Sequence, residues 1–171
     1  AVLGCSAVDE KWFPKFDSYR EIAKKLAAEF GAVFIYGIGG ELSNGELHDA
    51  RAADYDDWST ENSAGFRGLN GDILVWNPVL ESAFELSSMG IRVDKEALTK
   101  QLEIRDSSDR KNLLFHSMLL DDQLTESIGG GIGQSRMCMF MLKSRHIGEV
   151  QASIWDGKVK EKLKEESIEL L

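Results

Sequence analysis

Apolar positions recur every four residues at Ile22, Leu26 and Phe30, behind a Ser18–Glu21 capping box and ahead of Gly31, which predicts an amphipathic helix. The following run, Ala32 to Ile38 (AVFIYGI), is rich in branched and aromatic residues and ends at Gly39-Gly40, the pattern of a short buried strand. From Gly39 to Gly71 the periodicity is lost in Gly, Asp and Ser, and a connection of that length is unusual unless it serves a site. Asp72 to Trp76 (DILVW) and Ala83 to Met89 (AFELSSM) return to strand character on either side of an Asn77-Pro78 turn, so they should pair as an antiparallel hairpin. Asp94 reads as an N-cap, with Val93 and Leu98 as a hydrophobic staple, for a helix to about Glu103. Another helix is expected from about Ser108 to Leu120, burying Leu113, Leu114 and Met118 with Phe115 beside them. The run Gly129-Gly130-Gly131-Ile132-Gly133 comes next, then a helix from Gln134 to about Lys143 and a charged, solvated helix over Lys158 to Glu166.

The chain has 171 residues, 43% hydrophobic and 29% charged, enough for a single domain with a sizeable core. A net charge of −9 argues against a sequence-independent grip on nucleic acid or an anionic membrane, because such binding relies on clustered Lys and Arg. Cys5 and Cys138 lack Cys or His neighbours at zinc spacing, and Cys138 falls within an apolar helical pattern, which suggests a reduced, cytoplasmic protein. No apolar run approaches the roughly 18 residues of a membrane span.

Glycine lets another backbone or a flat ligand approach closely, and a helix starting just after Gly133 offers N–H groups to an anion. Arg136 stands at that junction, where its planar fork suits phosphate oxygens or an aromatic base. The spacing matches neither G-x-G-x-x-G nor a P-loop, so a structural turn is an equally good reading of the glycines alone. Pairing the hairpin strands brings Asp72 and Glu85 to one face as a possible divalent-metal site; the bland reading has Asp72 ending a turn and Glu85 in solvent. Small residues Ser87 and Ser88 leave room for a ligand ahead of Arg92, which suits a carboxylate clamp or, alternatively, a surface ion pair. The acidic loop His48 to Trp58 (HDARAADYDDW) suits an ammonium group, although Asp in loops more often makes Asx turns and caps. His116 reads as a packed or solvated histidine, as does His146, and no serine or cysteine has a placed base.

Three segments together, HDARAADYDDWST (48–60), GLNGDILVWNPVLESAFELSSMGIR (68–92) and IGGGIGQSR (128–136), resemble ammonia-dependent asparagine synthetase, the aspartate–ammonia ligase of the A type. GAVFIYGIGG and HIGEVQASIW fit the same family, so the likeness runs from about Arg20 to Trp155. That family is similar to the catalytic domain of class II aminoacyl-tRNA synthetases for aspartate and asparagine. The resemblance implies an α+β fold, an antiparallel sheet flanked by helices, working as a homodimer. It implies that ATP adenylates the side-chain carboxylate of L-aspartate with release of pyrophosphate, and that ammonia then displaces AMP to give L-asparagine. By the same resemblance Asp72 and Glu85 hold Mg²⁺ on the ATP phosphates, and Arg136 meets ATP beside the adenine. Gly131, Glu85, Leu86 and Ser87 line the nucleotide. Because the side chain is activated, Arg92 with Ser88 would hold the α-carboxylate, and Asp56 the α-ammonium or incoming ammonia.

Ala53 stands where the family usually has Pro, which should loosen the loop, and the tail after Trp155 is more charged than usual. The likeness covers about the C-terminal half of a family member, read here as one domain over residues 1–171. The second class II motif and the aspartate-binding Lys of the N-terminal half lie outside it. The sequence therefore predicts either a piece of a split or cleaved synthetase complemented by another chain, or a truncated non-catalytic binding or regulatory relative. A tRNA synthetase is disfavoured, since neither an anticodon-binding domain nor a basic surface is visible.

Overall fold

The first helix, α1 (Tyr19–Phe30), buries Ile22 and Leu26 as its four-residue spacing requires and stops at Gly31, whose φ of +73° suits a residue without Cβ. Phe30, expected on the same face, is exposed, and Ala23 and Ala27 complete the buried stripe. The computed structural model describes residues 1–4, 19–39 and 51–171, so Ser18 of the capping box, Cys5, Gly40 and the His48–Ala50 part of the acidic loop lie outside the described residues.

Five strands form one sheet in the order β1 (Val2–Gly4), β2 (Ala32–Tyr36), β3 (Asn70–Asn77), β4 (Ser82–Ile91), β5 (Ile128–Ile132). Neighbours are antiparallel except β1, which runs parallel to β2, so the sheet is mixed at that end. The hairpin of β3 and β4 is as expected, turning through Asn77, whose Oδ1 accepts from Val79 N at 2.9 Å. Its ladder shifts register between Ile73 and Leu74: Ile73 faces Ser87 while Leu74 faces Glu85, leaving Leu86 as the extra residue of a β-bulge. The glycine run is strand β5, made possible by pairing with β4 and tied to the bulge by Gly133 N donating to Leu86 O at 2.9 Å.

Strand alternation sorts the side chains. Val33, Ile35 and Leu74 pack against Ile22 and Leu26 of α1 as one core. The same face continues through Asp72, Glu85, Ser88 and Gly90, by register, toward the far end of the sheet. The opposite face is an open apolar groove along Phe34, Tyr36, Met89 and Ile132.

A second core joins Ala53, Val93, Leu98, Leu102 and Leu119. Here α2 (Lys95–Ile104) is capped by Asp94, whose carboxylate accepts from Ala97 N at 2.7 Å, and the Val93–Leu98 staple is buried. The single helix expected over 108–120 is instead a 3₁₀ turn (Ser108–Asn112), an extended Leu113 with ψ 153°, and α3 (Leu114–Leu120). That break rotates the face: Leu113, Leu114 and Phe115 are exposed, and His116 and Leu119 are buried. The last helices, α4 (Gln134–Leu142) and α5 (Gly157–Glu165), follow the expected ranges. α5 is not wholly solvated, since Leu163 is buried, and Cys138 of α4 is exposed despite its apolar neighbours. No helix among the described residues is long and apolar enough to cross a membrane.

Candidate active site

The described part of the acidic loop folds back along the end of β4. An isolated antiparallel bridge joins Asp56 to Arg92, flanked by Asp57 N donating to Ile91 O at 2.9 Å and Val93 N donating to Tyr55 O at 3.0 Å. Asp57 closes an Asx-type turn, accepting from Ser59 N and Thr60 N, both at 2.9 Å. Asp56 is therefore the loop acid that turns toward the sheet, where it is 5% exposed and makes a salt bridge with Arg92. Tyr55 closes over the pair: its ring centroid lies 3.8 Å from the Arg92 guanidinium carbon, and its hydroxyl accepts from Arg92 at 3.1 Å.

Two glycines make room for this ion pair. A Cβ at Gly90 would stand 2.8 Å from Asp56 Oδ1, and one at Gly129 would stand 2.7 Å from an Arg92 guanidinium nitrogen. A Cβ at Gly131 meets nothing within 4 Å among the described residues, leaving open space over the backbone there. Two of the glycines that drew notice in the sequence thus differ in surroundings: Gly129 packs against an arginine, and Gly131 faces open space among the described residues.

Further along the same face, Arg51 donates to Asp72 at 2.7 Å, and Arg136 donates to both the carboxylate and the backbone carbonyl of Glu85, at 3.1 and 3.2 Å. The other carboxylate oxygen of Asp72 is buried with no hydrogen-bond partner among the described residues. An orphaned buried carboxylate oxygen with a second carboxylate on the same face is a hard, anionic donor set that fits a magnesium ion sharing its shell with phosphate oxygens. No group of three or more His, Cys, Asp or Glu side chains fit to hold a metal is formed among the described residues. Ser87 Oγ donates to Gly131 O at 3.0 Å, and Ser88 lies opposite Asp72. Leu86 is buried, and its carbonyl accepts from Gly133 N.

Two participants, Arg51 and Gln101, were not singled out from the sequence, and His116, read there as packed or solvated, is packed. Arg51, within the acidic loop, supplies the partner of Asp72. Gln101 on α2 is fully buried, and its side chain bonds to the loop at Ala53, Asp56 and Trp58. His116 is buried against Asp54, with Nε2 2.9 Å from the carboxylate that Arg110 also meets at 2.7 Å. These contacts span up to 62 residues and leave no local signature. Ala53, expected to loosen the loop, is buried, and its carbonyl accepts from Gln101.

Solved structures share this architecture at low identity. Asparaginyl-tRNA synthetase from Pyrococcus horikoshii matches at 17% identity and TM-score 0.59, over 86% of this chain and 33% of that one. The same enzyme complexed with asparaginyl-adenylate matches at 17% identity and TM-score 0.56, over 86% and 32%. Aspartyl-tRNA synthetase from Entamoeba histolytica matches at 16% identity and TM-score 0.59, over 92% and 32%. The fold is thus that of class II aminoacyl-tRNA synthetase catalytic domains, and the chain spans about a third of the length of those proteins. Residues 6–167 match the family model described as aspartate-ammonia ligase (AsnA), and with nearly the whole chain so covered, this protein belongs to the aspartate–ammonia ligase family.

Proposed function

We propose that this chain carries the C-terminal half of the catalytic domain of an AMP-forming aspartate–ammonia ligase, which activates L-aspartate with ATP and transfers ammonia to its side-chain carboxyl. The observation that carries the reading is the Asp56–Arg92 ion pair, seated on Gly90 and Gly129 under Tyr55. An amino acid brings the complementary pair of charges. Its α-carboxylate replaces Asp56 on the Arg92 fork, and its α-ammonium replaces Arg92 on Asp56, so both protein charges stay paired when the zwitterion enters. Asp56 thereby also borders the position from which ammonia approaches.

The nucleotide lies along the Glu85–Ser87 bulge, over Gly131 and against Arg136. Asp72 and Glu85 would hold a magnesium ion, which would supply charge neutralisation for the departing pyrophosphate. Arg136, freed from Glu85, then turns its guanidinium to the nucleotide. The side-chain carboxylate attacks the α-phosphorus, the bond to pyrophosphate breaks, and ammonia, after ammonium has lost a proton, displaces AMP from the β-aspartyl-adenylate. None of these residues acts as a strong acid or base, and positioning with charge neutralisation supplies the acceleration.

Completion requires a second polypeptide supplying the N-terminal half, within a homodimer of the full enzyme in the cytoplasm. Ile128 and Ile132 of the terminal strand β5 are 79% and 62% exposed, and Met141 and Leu142 of α4 are 70% and 71% exposed, the surface such a half would cover. Mixing the chain with that half and assaying AMP and asparagine from aspartate, ATP and ammonia tests the reading. A stable complex that forms no asparagine supports the alternative, a non-catalytic nucleotide- or amino-acid-binding relative.

A further inference from the structure

We propose that Gln101 is the positioning residue of the amino-acid subsite, its buried carboxamide fixing the Ala53–Trp58 loop and through it the carboxylate of Asp56; this rests on the reading of Asp56 and Arg92 as that subsite. Gln101 is completely buried on the face of α2 that also carries Ala97, Leu98 and Leu102. An amide in such company is destabilising for each polar group left unbonded, whereas a methionine would fit the same volume with no polar group to satisfy. The bonds it makes explain its presence. Its Nε2 donates to Ala53 O at 2.9 Å and to Asp56 O at 3.1 Å, while its Oε1 accepts from Trp58 N at 2.8 Å.

Three backbone groups across six residues of one loop are therefore tied to one side chain. The bridge to β4 fixes Tyr55 and Asp57 from the other side, so the Asp56 peptide is held front and back. Around it, Lys100 donates to Ser59 O at 3.2 Å, and Asp54 is clasped by His116 and Arg110. Among the described residues, Gln101 is the side chain that reaches the carbonyl of Asp56 itself. Removing that bond frees rotation about the Asp56 backbone and moves its carboxylate out of register with Arg92, and displacements near 1 Å cost on the order of 100-fold in binding or rate.

The test compares Gln101→Met with Asp56→Asn and the parent chain, each carrying 5-fluorotryptophan, with the Trp58 resonance assigned by Trp58→Phe. L-Aspartate and Mg-ATP are titrated separately by ¹⁹F NMR and calorimetry, and exchange of the Trp58 backbone amide is followed in deuterated buffer. Gln101→Met is expected to weaken L-aspartate at least about tenfold, leave Mg-ATP within about twofold, and speed exchange at Trp58. Unchanged aspartate affinity with unchanged exchange overturns the positioning role. Equal weakening of both ligands overturns it as well, since that is what a general loss of structure does. Unchanged aspartate affinity in Asp56→Asn, or no aspartate response from the parent chain, overturns the subsite reading instead, and exchange at Trp58 then decides the loop-anchoring role alone. If Gln101→Met does not fold, Gln101→Asn, which keeps the amide but is one methylene too short to span the loop, is put through the same measurements.

Discussion

Adding one methyl group at each of three glycines separates the amino-acid subsite from the nucleotide wall. At Gly90 the new Cβ meets Asp56 Cγ and Oδ1 at 2.8 Å and the Asn70 Cβ at 3.1 Å. Neither neighbour can give way easily, since Asp56 is held by Gln101 and Asn70 Oδ1 accepts from Ile38 N at 2.8 Å. Overpacking of this kind costs about 1–3 kcal/mol, offset by about 0.5–1 kcal/mol from replacing glycine in a strand. Gly90→Ala should thus lose roughly 0.5–2 kcal/mol, a fall in the unfolding midpoint of about 1–8 °C for a chain of this size. At Gly129 the methyl meets the far end of the Arg92 side chain, 2.7 Å from one nitrogen, which can swing away. Gly129→Ala should lower the midpoint, because an Arg92 that swings away leaves Asp56 buried and unpaired, and should also lose the charge-assisted bonds of Arg92 to a carboxylate, about 1.5–3 kcal/mol, or roughly 10- to 150-fold in aspartate affinity. Gly131→Ala, with open space before it, should fold normally, keep aspartate affinity and weaken ATP. Calorimetric titration of L-aspartate and Mg-ATP, beside thermal unfolding of each variant, reads all three. Full aspartate affinity in a folded Gly129→Ala protein would refute the assignment of Arg92.

Other consequences follow from the same geometry. Asp72→Asn and Glu85→Gln should each raise the magnesium concentration required for AMP release by the complemented protein at least about tenfold, without unfolding the chain; an unchanged magnesium dependence removes these residues from the metal site. Leu98→Ala, in the second core, should cost about 2–5 kcal/mol, whereas Leu114→Ala, 78% exposed on α3, should lie within about 0.5 kcal/mol of the parent in denaturant titrations. The Lys95 ammonium is held above its ordinary range, first by its hydrogen bond to Asp122 and then by the charge of that carboxylate. A raised lysine pKa means the contact acts below the ordinary lysine range and is lost as pH rises through the folded value, so the ¹⁵Nζ titration midpoint should drop in Asp122→Asn. Lys at position 132 should reduce binding of the complementing half, measured by co-purification, if that half covers β5.

The sequence carried the fold wherever one element satisfied itself locally. Asp94 with its staple, the Asn77-Pro78 turn, and the hairpin strands all follow from contacts within a few residues. It failed where a distant partner decided burial. Leu113, Leu114 and Phe115 have the apolar character of a buried face, but His116 takes the interior position because Asp54 waits there. Gln101 reads as a polar surface position on an amphipathic helix, and its burial is set by carbonyls 45 and 48 residues earlier. The glycine run gave no periodicity because glycine has no side chain to alternate, so its strand character comes from β4. The pairing of Arg51 with Asp72 was equally invisible, although both residues lay in segments already marked as candidates.

The three Arg–carboxylate pairs along one face differ in a way that assigns them different work. Arg92–Asp56 and Arg51–Asp72 are largely withdrawn from water, while Arg136 and Glu85 keep 49% and 43% of their side-chain surface exposed. An exposed pair contributes about 0–1 kcal/mol and is screened by salt, so its members exchange partners at little cost. Separating a buried pair without replacing both charges costs several kcal/mol. On the proposed function, the Arg136–Glu85 end is the nucleotide end and is adaptable, with Arg136 free to leave Glu85 for a phosphate or base. The Arg92–Asp56 end, the amino-acid end on the same proposal, opens only to a ligand that brings both an anion and a cation in the right order. A dicarboxylate lacking the ammonium group would leave Asp56 buried and unpaired, so discrimination against it is built into the ligand-free structure. Succinate should accordingly compete poorly with aspartate even though it presents both carboxylates, and effective competition by succinate would place the α-ammonium elsewhere.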